Sequence, residues 1–332
     1  MPNREVYRVP MRPVAGSRFQ PTGFPDVGPA LFTRPVGEDG WQKCLLVESA
    51  QSMGNHLEAT GWDGGHEQPV GTFEGMPYVR VVDENGDYVT SSRTEAHRLA
   101  SAFVKDSTLD GDGMREVIRR RLDLKDDAPS SLREIAGAVF EMDPMALVHG
   151  VFFAETNKVW PGQPKISRAL TAFVEANDVL PAVSGGVKRD DVRHSTKDTG
   201  GATEGYGSVP FHRTEYVARE VEASFVLDLD QLASYGLPED ATELLAAAAR
   251  WEIRSLLDHG FRPRTGCDLE IDDPSTLDGL PSLDTLTEQL RSLIGQCEQD
   301  KSFGDDERPL TVIWDRRKSS KKGKGKDGEE TP

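Results

Sequence analysis

Between Val221 and Asp230 the chain alternates without a break. Val221, Ala223, Phe225, Leu227 and Leu229 fall on one side, and Glu222, Ser224, Val226, Asp228 and Asp230 on the other. A period of two is the signature of a strand with one face buried and one open, so the fold must contain a sheet that includes this segment. What precedes the strand is different in kind. From Pro181 to Ser208 glycines stand at 185, 186, 200, 201, 205 and 207, cations at Lys188, Arg189, Arg193 and Lys197, and apolar residues are sparse. Such a segment cannot bury itself, and loops of this length inside a compact domain are usually functional. The pattern predicts a long, flexible, basic loop mounted on a rigid sheet.

The other segments fill in an α+β chain. Glu5–Val14 reads as a first strand broken by prolines, which suits an edge or a bulge. Gly16–Ala30 is rich in Gly and Pro, with Arg18, Phe19, Gln20 and Phe24 interleaved. Either an aromatic stacks a base there while arginine meets phosphate, or the segment is a turn-rich connection whose Phe residues plug the core edge. Lys43–Glu48 reads as a buried strand running into a helix over Ser49–Trp62, with Ser49 as its N-cap. A helix start of that kind is either a plain capped end or a seat for an anion, because free amides and the helix dipole both point there. Pro77–Asp83 and Asp87–Thr90 read as a hairpin turned at Asn85-Gly86.

Further on, Ser92 and Glu95 have the spacing of a capping box and predict a helix carrying His97 and Arg98. Helical patterns cover Gly113–Leu122, where Arg119, Arg120 and Arg121 read as a solvated face, and Ser131–Met142. Leu147–Ala154 and Ala169–Glu175 read as strands. Pro238 opens a helix that closes at Gly260, and Ser282 opens another with Leu283, Leu286, Leu290, Leu293, Ile294 and Cys297 on one face. Leu310–Trp314 reads as a last strand closing the sheet. Strands and helices mix without regular βαβα alternation, which favours α+β.

Composition excludes several classes. The net charge is −17, and Asp268–Glu307 holds twelve carboxylates against Arg291 and Lys301. The average argues against a polyanion ligand, but the uneven distribution permits local basic surfaces, as around Arg4, Arg8, Arg12 and Arg18. Cys44, Cys267 and Cys297 are odd in number and far apart, so buried thiols are the better reading than disulfides or zinc. No apolar run is long enough to span a membrane and no secretory pattern opens the chain, so a cytoplasmic location is expected, with no membrane partner. The tail after Asp315 carries seven cations and no apolar residue, which predicts disorder. An enzyme would have to use His194, Glu204, His212 and the Asp190-Asp191 pair. No zinc-ligand spacing, HExxH, GxSxG or P-loop accompanies them, so no cofactor is expected and catalysis is the alternative reading, as an RNA-processing or metal-dependent nuclease built on His194 and His212.

Six segments together carry a resemblance: GSRFQPTGFPD at 16–26, LLVESAQSMGNHLE at 45–58, TSSRTEAHRLAS at 90–101, SGGVKRDDV at 184–192, EGYGSVPFHRTEY at 204–216 and FVLDLDQL at 225–232. Over roughly residues 5–270 the chain resembles the backbone subunit of subtype I-G (formerly I-U) CRISPR interference complexes, in the repeat-associated RAMP superfamily and the group often called Cas seven. The resemblance implies a modified ferredoxin-like, RRM-type core in a single domain over 1–314, with a helical insertion near 92–145, a thumb-like loop or hairpin at 181–215, and a tail at 315–332. It implies several copies polymerised along one CRISPR RNA, beside a large subunit and a fused guide-end-binding and processing subunit, supporting target DNA recognition without cleavage. It is similar at Ser49-Ala50-Gln51-Ser52 to the helix start that holds guide phosphates in this superfamily, with Gly54, Asn55 and His56 where a Lys or Arg usually follows. The RNA-binding residues expected on these grounds are Arg18, Phe19, Gln20, Ser49, Gln51, Ser52, Asn55, Lys188, Arg189, Phe211, His212 and Arg213, with the amides of a Gly185-Gly186 turn. Tyr206 is a further stacking candidate.

Overall fold

The computed structural model describes residues 3–24, 27–156, 158–188 and 209–315. Its centre is a seven-stranded sheet built from β1 (Arg4–Pro13), β2 (Leu31–Val36), β3 (Gly40–Glu48), β4 (Leu170–Asn177), β7 (Glu220–Asp228), β8 (Phe261–Arg264) and β9 (Cys267–Ile271). Between β4 and β7 the chain makes a separate two-stranded hairpin, β5 (Leu180–Lys188) with β6 (Val209–Val217). The order across the large sheet is β8-β9-β1-β7-β4-β3-β2, and every pair is antiparallel.

Register explains which side is buried. Val221, Ala223, Phe225 and Leu227 of β7 stand opposite Met11, Val9, Tyr7 and Glu5 of β1, and opposite Ala176, Val174, Ala172 and Leu170 of β4. Most of these line the core, as the alternation predicts. Helix α1 (Ala50–Thr60) packs on β4, α2 (Glu239–Asp258) packs beside α1, and α3 (Leu283–Gln299) lies along α2. Leu286, Leu290, Leu293, Ile294 and Cys297 of α3 are buried, the stripe read from the sequence. Two polar contacts pin α2. Trp251 Nε1 donates to Thr287 Oγ1 at 2.9 Å, and Arg250 grips Glu5 of β1 with Nη2 and Nε at 2.7 and 2.9 Å.

Several expectations need correction. β1 is interior to the sheet, although β9 covers it only from Met11 to Pro13, so Pro10 sits where that pairing gives out. No helix begins at Ser92. Its hydroxyl instead accepts the Val79 amide at 3.0 Å, which holds residues 92–97 in turns ahead of a short 3-10 segment, Arg98–Ala100. The apolar run at 147–154 is split between a helix, Met145–His149, and a two-residue strand, Val151–Phe152. Leu310–Ile313 belongs to a second, five-stranded sheet and is its middle strand, pairing in parallel with Val79–Val82 on one side and meeting Thr108 on the other. The strands at 31–36, 261–264 and 267–271 carry no clear alternation in the sequence. The three cysteines are free and buried, and Arg119, Arg120 and Arg121 pair with Asp126, Asp112 and Asp306. Among the described residues no helix is long and apolar enough to cross a membrane.

Candidate functional site

The start of α1 is the natural place to begin. Glu48 ends β3 fully buried. One of its oxygens accepts the Ser49 amide at 2.9 Å and the other pairs with the Arg264 guanidinium. The Ser49 hydroxyl accepts the Ser52 amide at 3.3 Å, so Ser49 is the N-cap the sequence predicts. Helix geometry gives the amides of Ala50 and Gln51 no partner inside the helix. Gln51 and Asn55 follow one turn apart on the exposed face, while Ser52 is half-buried.

From Arg264 a polar network runs to the base of the hairpin. Arg264 Nη1 donates to the carbonyls of Val47 (2.9 Å) and Gln20 (3.2 Å). The Gln20 side-chain oxygen accepts from Arg213 Nε of β6 at 2.9 Å. Glu215, two residues along β6, pairs with Arg18 at 3.3 Å and with Arg213 at 3.5 Å. Phe19 lies between Arg18 and Gln20 and exchanges both backbone hydrogen bonds with Tyr216, at 3.0 and 2.9 Å. This short pairing puts Arg18 and Gln20 outward and Phe19 inward. Phe19 is 1% exposed and fills the core, so it offers no ring face to a base. Gly266 completes the corner. Its φ is +79°, a backbone conformation that favours glycine, and the end of the flexible Arg213 side chain lies against it.

The cation missing from the first turns of α1 comes from elsewhere in the chain. Arg168 Nη1 donates to the Ala50 carbonyl at 2.9 Å. Its pKa is lowered first by burial and then by the positive Arg98 guanidinium nearby. Arg98 is held in a bidentate pair with Glu58 of α1 at 2.7 and 2.6 Å and also donates to the Gly150 carbonyl at 2.9 Å. No local pattern marks Arg168, because it reaches α1 across 118 residues.

The hairpin itself differs from the expected glycine turn. Gly185 and Gly186 are strand residues in β5, exposed and paired with His212 and Phe211 of β6, and the register runs on to Lys188 opposite Val209. Arg189, His194 and Tyr206 lie outside the described residues. Among the described residues no group of His, Cys, Asp and Glu could hold a metal ion. The structure therefore brings Arg18, Gln20, Ser49, Ser52 and Arg213 into one network, with Gln51 and Asn55 beside it. The chemistry on offer is anion binding: two open amides, guanidinium groups from residues 18, 168 and 213, and exposed glycine backbone.

Comparison with known proteins adds a family. The model for a family described as CRISPR-associated protein GSU0053 matches residues 6–181. No curated protein matches. A solved chain titled "CRISPR RNA-guided surveillance complex, pre-nicking" is similar over 97% of this chain and 97% of its own, at 10% identity and a TM-score of 0.33, which is too low for any argument to rest on it.

Proposed function

Because the chain belongs to the family of CRISPR-associated protein GSU0053, we propose that it is a CRISPR RNA-binding backbone subunit of a type I, Cascade-like complex of subtype I-G. Copies line up along one guide and leave sequence recognition to base pairing with target DNA. The strand order supports the RAMP part of this reading. In the run β9-β1-β7-β4, β7 separates β1 from β4 and β1 separates β7 from β9. Helix α1 falls between β1 and β4 in sequence, and α2 between β7 and β9. Two interleaved split βαβ units of this kind make a ferredoxin-like core. The hairpin then grows from the connection between two adjacent core strands, where a thumb would stand, with a helical insertion near 92–145 and the tail after 314 outside the core.

The observation that carries the functional reading is the network itself. Arg213 at the hairpin base, the 18–20 segment and the first turn of α1 come from three distant stretches and are tied into one cation-rich corner. In this mechanism the amides of Ala50 and Gln51 and the Arg168 guanidinium hold guide phosphates from the α1 side. Arg18, Lys188, Arg189 and Arg213 hold them from the hairpin side, and Gly185 and Gly186 let backbone approach closely. The subunit binds and does not cleave. Its partners are CRISPR RNA, target DNA, further copies of itself, the large subunit and the fused guide-end subunit, in the cytoplasm.

The test is salt-dependent binding of purified protein to CRISPR RNA. Changing Lys188 and Arg189 together to Ala is expected to weaken binding across guide sequences and flatten its dependence on salt, with folding intact. A wild-type protein without affinity for the guide overturns the reading, and unchanged affinity in the double variant removes the hairpin from the site. Guide RNA incubated with the protein and magnesium is expected to stay intact; cleavage lost in His212→Ala selects the nuclease instead.

A further inference from the structure

A second surface extends from Arg168 away from the start of α1. The two-residue strands Val151–Phe152 and Lys165–Ile166 pair, and with the turn at 96–98 they wall a cleft of about 500 Å³. That is within the roughly 300–1,000 Å³ range of small-ligand sites. Its charge is unusual for a chain of net charge −17: Arg98, Lys165 and Arg168 line it together with His97 and His149, and no carboxylate does. Arg98 is balanced from behind by Glu58. Among the described residues Lys165 is exposed with no ion pair, and the Arg168 side chain makes one hydrogen bond, to a neutral carbonyl. The cleft therefore holds cations in excess, and Arg168 has its pKa lowered first by burial and then by the Arg98 guanidinium, with Glu58 acting the other way.

The cleft also has an aromatic platform. Phe152 is 48% exposed and stands directly across the pair from Lys165, whose Nζ lies 6.0 Å from the ring centroid. The wall opposite is rigid. Arg98, at φ +50°, makes four hydrogen bonds from its guanidinium, to Glu58 and to the carbonyls of Ala96 and Gly150, and Gly150, at φ +82°, lies so close that a Cβ on it would stand 2.9 Å from the Ile166 carbonyl oxygen. An exposed ring beside unpaired cations in a fixed groove is the arrangement that stacks a base while holding the adjoining phosphate.

We infer that the cleft between residues 97–98, 150–152 and 165–168 is a subsite for one nucleotide of a single RNA strand, its base on Phe152 and its phosphate on Lys165 and Arg168. The subsite rests on the RNA-binding reading and extends it, since Arg168 joins the cleft to the first turn of α1. A strand held at α1 reaches the cleft through the same guanidinium.

The experiment uses the full chain, a short unstructured fluorescent oligouridylate and its deoxy counterpart, titrated at several salt concentrations. Phe152→Ala and Lys165→Ala both alter exposed side chains, so folding is expected to survive, and thermal melts check it. Phe152→Ala is expected to weaken RNA binding about five- to 150-fold with the salt slope unchanged. Lys165→Ala is expected to flatten the slope of log K against log salt by about 0.7, one single-strand phosphate contact. If wild type binds and both variants match it in affinity and slope, the cleft assignment fails while the hairpin reading stands. If wild type does not bind, both fail. Tighter binding of the deoxy strand overturns the assignment to RNA.

Discussion

Glu48 is the residue on which the start of α1 depends, because it is a fully buried carboxylate whose charge is met, among the described arginines and lysines, by Arg264 alone. Removing one partner of a buried pair leaves an uncompensated charge, typically at about 3–5 kcal/mol. Arg264→Ala is expected to lower the urea midpoint accordingly, and adding Glu48→Gln to recover much of the loss; a single variant as stable as wild type would remove the pair from this role. A second residue-scale prediction concerns pH. The Tyr7 hydroxyl donates to Glu5 at 2.8 Å. Burial, followed by that hydrogen bond and the Glu5 charge, pushes its pKa up to about 12. The fold favours the neutral phenol, so this contribution is complete below pH about 10, the free-tyrosine value, and is lost as pH rises through about 12. Glu5 is shifted the other way, held below the usual carboxylate range first by its hydrogen bond from Arg250, so its contribution is lost as pH falls into the acid range. Tyr7→Phe is expected to abolish the alkaline part of the difference in stability while leaving the acid limb, as read from denaturation midpoints across pH. At this scale the sequence told only half of the site. Arg18 and Gln20 were legible as a polar pair in a turn-rich segment, but that Phe19 between them turns inward depends on a bridge to Tyr216 made 197 residues later. Arg168 was invisible for the same reason.

Elements were legible where periodicity ran long and were lost where tertiary contacts overrode a local signal. The helices at 239–258 and 283–299 stand as read, and the strand holds from Glu220 to Asp228, but Leu229 and Asp230, which continue the alternation, open a short helix capped by Asp228. Ser92 and Glu95 had the spacing of a helix start, yet the Ser92 hydroxyl is taken by the Val79 amide and the Glu95 carboxylate by Thr90. A short apolar run at 147–154 could not be told from a buried helix by period, and it is partly one. The hairpin is the instructive case. Glycine richness suggested loop, but β5 and β6 pair regularly from Leu180 opposite Val217 to Lys188 opposite Val209. That pairing predicts that residues 189–208 can be replaced by Asn-Gly, the two-residue turn that closes a hairpin between directly opposed residues. The shortened protein is expected to keep its melting temperature and to lose RNA affinity together with part of its salt dependence, since Arg189, Arg193 and Lys197 leave with the segment. A fall in melting temperature instead assigns the segment to the core.

At the scale of the whole molecule the charge balance and the proposed role have to be reconciled. Twelve carboxylates between 268 and 307, many of them exposed along α3 and after it, sit on the part of the chain that takes no part in the network at α1 or in the cleft. The acidic excess thus lies outside the hydrogen-bonded network of the corner, and in the proposed role a guide bound there meets its guanidinium groups while the rest of the surface keeps copies soluble. Copies that meet head to tail through unlike surfaces build open filaments whose length is set by something external, here the guide. This makes a sharp prediction. Native mass measurements on complexes formed with guides of increasing length should show the number of protein copies rising in whole steps, each step needing the same added length of RNA. In the absence of guide the protein should stay small. A mass that stops at one copy however long the guide becomes would refute the backbone role while leaving RNA binding untouched, and assembly without any RNA would place the driving force in protein contacts alone.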